Sequence, residues 1–96
     1  MALVELNIYG DDNEILKTFS TSRIRWGLIV KAVELEEKMN DPNVTNKDQI
    51  QLLNDFIIAV FPTMTQSEVE LADINDIKNV FKIVSNMSGE IDTKNV

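Results

Sequence analysis

The chain has no cysteine and no histidine among its 96 residues. These two absences remove most of the side-chain chemistry that enzymes use. No Ser-His-Asp or Cys-His nucleophile, imidazole base, thiolate zinc site or disulfide framework can be assembled. Carboxylates, lysines and hydroxyls remain, so no enzymatic activity, cofactor or metal is expected. Positive charge is scarce as well. Nine Lys and Arg stand against 16 Asp and Glu, a formal net charge of -7 with a pI near 4.4. That balance repels phosphate backbones and anionic lipid, so nucleic acid and membranes are disfavoured and basic or apolar protein segments are the better partners.

Long apolar runs are also missing. The longest spans Phe56 to Pro62, far below the ~20 residues needed to cross a bilayer. The amino-terminal segment Met1 to Leu6 has no basic flank, and Glu5 and Asn7 interrupt its apolar residues, so an intracellular protein without an export signal is expected. The length supports one domain, assigned to residues 1–89, followed by a loose tail over 90–96. A chain this short buries roughly 60 to 65% of its unfolded surface, which leaves a modest core and little room for a deep pocket.

Val4, Leu6 and Ile8 alternate with Glu5 and Asn7, the period of a half-buried strand. Gly10 to Asn13 supplies turn residues, and Glu14 to Ser20 forms a second extended run with Ile15, Lys17 and Phe19 on one face. A β-hairpin follows, one face of which must lie on helices because an isolated hairpin is marginal in water. The first helix is expected from Arg23 to about Asn40, capped from Ser20, Thr21 or Ser22. Thr45, with Asp48 three residues on, opens a second helix over 46–61 with a buried face of Leu53, Phe56, Ile57 and Val60, and Ile50 and Phe61 at its margins. Thr65 and Glu68 form a capping box for a short helix reaching Leu71 or Ala72. Asp73 caps a last helix with the stripe Ile74, Ile77, Val80, Phe81, Val84 and Met87, closed at a left-handed Gly89. The fold class is therefore mainly α (α+β): an N-terminal hairpin and three to four helices.

A calcium loop over 41–52 fails on its ligands. Its sixth place is Asn46 instead of glycine, and its twelfth is Leu52 instead of a bidentate carboxylate. The acids Asp11, Asp12 and Glu14 read as turn chemistry. Between Lys47 and Lys78 there is no base but there are six acids. Asp48, Glu68, Asp73 and Asp76 lie near helix starts, where the dipole favours negative charge. Asp55 and Glu70 are left as contacts for a basic partner.

In the first helix, Ile24, Leu28, Ala32, Leu35 and Met39 make one stripe, and Trp26, Ile29, Val30 and Val33 a second, turned by more than 100°. Two readings of the second stripe stand: the hairpin lies over it, or it is a face for self-association or a partner helix. Ile58, on the polar side of the second helix beside Gln51, Asn54 and Asp55, adds to the second reading.

Taken in order, these strings resemble the tail assembly chaperones of long-tailed bacteriophages and prophages of Gram-positive hosts. The resemblance runs from about Leu6 to Gly89: a hairpin ending Lys17-Thr18-Phe19, a helix bearing Ala32-Val33-Glu34-Leu35, a polar linker, Leu53 to Phe61 with its Asp55-Phe56 pair, a short acidic helix from Thr65 to Leu71, and a final amphipathic helix. It implies a cytoplasmic protein, absent from the finished virion, that coats the tape measure protein, keeps it soluble and recruits tail tube subunits. It also implies self-association along that client, in a head-to-tail stack that runs on as an open spiral. The alternative is a small acidic regulator that decoys a basic host protein.

Overall fold

The computed structural model describes residues 4–91. Strands β1 (Val4–Tyr9) and β2 (Ile15–Thr21) form an antiparallel hairpin. Four helices follow: α1 (Trp26–Met39), α2 (Asn46–Val60), α3 (Gln66–Val69) and α4 (Ile74–Ile91). The expected fold class and element order are both present.

Alternation places Val4, Leu6 and Ile8 on the buried face of β1, with Phe19 opposite Leu6. The outer face carries a cross-strand hydrogen bond from Thr18 Oγ1 to Asn7 Oδ1 at 2.6 Å. At the turn, Asn13 takes the left-handed conformation (φ 64°), and its N–H donates to the Gly10 carbonyl at 3.0 Å. The register breaks between Ile8 and Tyr9, whose partners are Lys17 and Ile15. Leu16 is thus an extra residue that shifts the alternation. Ile15 consequently does not share the face of Lys17 and Phe19, as simple alternation expects, and both Ile15 and Leu16 are exposed.

The caps explain most helix starts. Thr45 Oγ1 accepts the Asp48 N–H at 3.1 Å. At α3 the box is complete: Thr65 Oγ1 accepts from the Glu68 amide at 3.2 Å while Glu68 Oε1 accepts from the Thr65 amide at 2.9 Å. Asp73 Oδ1 accepts the Asn75 N–H at 2.9 Å at the head of α4. Helix α1 is the exception, because β2 continues through Thr21 and the helix begins only at Trp26, after an Arg25 cap without a side-chain bond. None of Ser20, Thr21 and Ser22 caps it; Thr21 Oγ1 instead bonds the backbone of Arg23. At the other end α4 runs through Gly89 to Ile91, so Gly89 does not terminate it and Glu90 and Ile91 are helical. Residues 92–96 of the expected tail lie outside the described residues.

Helix α4 packs on α1 and β1, and α2 packs on α1 and α3, in a body only 19 Å across its thinnest axis. The core joins Val4, Leu6 and Phe19 to Leu28, Ala32 and Leu35, to Phe56, Ile57 and Val60, and to Ile77, Val80 and Val84. Two ring pairs tie it together. Phe56 meets Phe81 edge to face at 5.6 Å, and Phe19 lies 6.3 Å from Phe61. On its outer edge β1 is held by the α3–α4 connection, with the Tyr9 N–H donating to the Leu71 carbonyl at 3.1 Å and the Tyr9 hydroxyl reaching Asp76 at 3.3 Å.

Candidate interaction surfaces

The first stripe of α1 faces inward as expected: Leu28, Ala32 and Leu35 are buried, and Ile24 and Met39 pack against the core. The second stripe divides. Ile29 is buried and belongs to the core, so it is withdrawn as a contact residue. Trp26, at 64% exposure, and Val30 and Val33 remain at the surface. The hairpin does not lie over them, because the elements in closest contact with α1 are α2 and α4.

Ile58 is corrected too. It is half-buried and packs against the core, so it is not stranded in solvent. A helix inserted between neighbours on two sides buries residues well away from its main apolar stripe. Asp55 is exposed and accepts a hydrogen bond from Gln51 Nε2 at 3.0 Å. It lies with Lys31, Glu34 and Lys38 around a small recess of about 190 Å³ between α1 and α2. Glu70 is exposed and stands at the lip of a larger depression.

That depression is the feature the sequence did not reveal. A groove of about 660 Å³ runs between α2, the α3–α4 connection and the start of α4, with Met39 of α1 closing one end. Its walls are mainly apolar, from Ile50, Leu53, Ala72, Ile74 and Ile77, and the α2 wall adds the amides Asn46, Gln49 and Asn54. Ile50 and Ile74, read from periodicity as core or core margin, are 62% and 64% exposed. Both sit in the amino-terminal parts of their helices. The 3.6-residue period identifies the face a residue shares, but not how far along the axis the neighbouring helix extends. Two isoleucines on inward faces yet still open to water were the available signal, and only the helix offsets make it readable.

The acids are mostly committed to local structure. Asp48 stands in the first turn of α2 and Asp76 in that of α4. Glu68 is held below its ordinary carboxylate value, first by its hydrogen bond from the Thr65 amide, which outweighs an opposing desolvation effect, and then by the Lys17 ammonium. Lys17 Nζ lies 3.7 Å from Glu68 Oε2 and 4.7 Å from the Phe19 ring centroid. Asp41, in the rejected calcium loop, turns its carboxylate to the Asn43 N–H at 2.9 Å. Among the described residues no three acidic side chains gather as a metal site, and no helix is long and apolar enough to cross a membrane. Comparison with protein-family models, curated proteins and solved structures gave no match.

Proposed function

We propose that this chain is a phage or prophage tail assembly chaperone: a cytoplasmic binding protein, not an enzyme, that keeps the helical tape measure protein soluble and helps bring tail tube subunits to it. The observation that carries this reading is the apolar groove of Ile50, Leu53, Ile74 and Ile77, joined to the ordered resemblance of the sequence. An elongated helical client exposes apolar stripes, and a groove between helices accepts one by its i, i+3, i+4 and i+7 side chains. The strand edge nearest the groove is already paired through Tyr9 and Leu71. An occupant therefore has to bring its own satisfied backbone, which a helix does. The net charge of -7 keeps the loaded complex dispersed.

Co-expression with the long coiled-coil product of the neighbouring tail gene should raise that partner's solubility and allow the two to co-purify. Neither effect appearing would remove the proposal. The regulator reading is weaker because the base-free stretch from Asp48 to Ile77 gathers no single acidic face: Asp55 and Glu70 remain there after the caps are counted, and Asp55 lies on the far side of α2 from the groove that Glu70 borders.

A further inference from the structure

Both arginines of the chain stand at one place, Arg23 and Arg25 in the link between β2 and α1. Ile24, between them, packs against the core, and its two neighbours are left exposed to solvent. Thr21 fixes the link locally: its Oγ1 donates to the Arg23 carbonyl at 2.9 Å and accepts the Arg23 N–H at 3.3 Å. The two arginines line a recess of about 400 Å³ that is also walled by Leu28 of α1 and by Ala59, Val60 and Pro62 at the end of α2. Although the chain carries a net charge of -7, no acid lines this recess. By contrast, Lys17 is paired with Glu68, and Lys31 and Lys38 share their recess with Glu34 and Asp55. The Lys17–Glu68 contact is the one ion pair among the described residues, so neither arginine is matched by an acid of this chain. Helix α1 brings no acid to its first turn and no side-chain cap that would compete for them.

We propose that this recess binds an acidic-aliphatic segment of another protein: a carboxylate side chain held by Arg23 and Arg25, with a neighbouring aliphatic side chain laid on Leu28, Ala59, Val60 and Pro62. Arginine suits a carboxylate because its planar fork donates two parallel hydrogen bonds to it. A free phosphate would satisfy the arginines but leave the apolar wall unused. Nucleic acid is disfavoured for a different reason. Its charge extends far beyond the two cations present here and would lie across a surface of its own sign. A short segment with few acids meets the arginines and avoids the rest. The recess stands at the amino end of α1 and the carboxyl end of α2, whereas the groove takes Met39 and Asn46 to Asn54 from the opposite ends of the same helices. The two sites share no residue, and binding here does not depend on the chaperone function.

An NMR titration of the isotope-labelled full chain with the blocked peptide acetyl-Gly-Leu-Asp-Asp-Leu-Gly-amide tests it. The expected result is saturable binding with amide shifts gathered over 21–28 and 59–62. Arg23→Gln and Arg25→Gln should each weaken the peptide several-fold, and both together about tenfold or more, while circular dichroism and the melting midpoint stay unchanged because both side chains are exposed. Asparagine in place of the peptide's aspartates should also cost about tenfold or more, and glycine in place of its leucines several-fold, which separates the charge from the apolar wall. Inorganic phosphate should bind at least about tenfold more weakly than the peptide. The proposal is overturned by a peptide that does not saturate, by shifts centred elsewhere, or by a double arginine variant that binds undiminished. It is equally overturned if the asparagine or glycine peptide binds as tightly as the parent, if phosphate matches the peptide, or if a short single-stranded oligonucleotide displaces it.

Discussion

At the scale of single residues, the decisive contrast is between side chains of equal chemistry in unequal surroundings. Ile57 is fully buried and Ile74 is 64% exposed, though both lie on helical stripes. Ile57→Ala should cost about 2 to 5 kcal/mol through lost burial and the cavity left behind. Ile74→Ala should stay within about 0.5 kcal/mol, as surface changes do. Urea unfolding of the two variants measures both. Thr65→Ala removes the donor-satisfying oxygen of the α3 box and should cost about 1 kcal/mol, read as a drop of several degrees in melting midpoint. Glu68 adds a pH dependence whose sign is fixed. Its folded pKa lies below the ordinary 4.5, so its contribution is complete above that value and vanishes as pH falls through the folded pKa. The stability gap between the parent and Glu68→Gln should thus be widest near neutrality and close in acid.

At the scale of elements, the start signals were legible and the stops less so. Thr45, Thr65 and Asp73 cap as their sequence context implies because a capping oxygen needs only the next two or three amides, all fixed by local chain geometry. Gly89 failed as a stop because a glycine only permits the left-handed turn and does not impose it. With the helix continuing to Ile91, Gly89→Ala should raise stability, or at least helical content, by circular dichroism; a glycine in the left-handed region would give the opposite sign. The bulge at Leu16 was equally hidden. Alternation in one strand cannot report an extra residue, whose existence depends on where the partner strand ends its pairing.

For the whole molecule, the apolar surplus is a matter of arrangement. Four helices and a two-stranded sheet in a body 19 Å thick can cover one another on their inner faces but leave the offsets between helix ends open. The groove lies at such an offset. Replacing Ile50 and Ile74 together by serine should leave the melting midpoint nearly unchanged, because both are mostly exposed, yet under the proposed chaperone function abolish co-purification of a tape measure protein. Added salt should leave the parent's client binding largely intact, since apolar burial is not screened, whereas a charge decoy would be released as exposed pairs are screened over ~10 Å at 0.1 M.

The amino-acid sequence by itself determined the exclusion of imidazole and thiol chemistry, the acidic balance, the hairpin, the order of the helices and most of their caps. Each of these depends on composition or on neighbours a few positions apart. The tertiary structure alone decided that Ile29 and Ile58 turn inward, that Trp26, Val30 and Val33 stay outside, and that Ile50 and Ile74 wall a groove. Burial depends on where a second element stops along the axis of the first, and that offset is set by the packing of the assembled core, not by the period of any one helix.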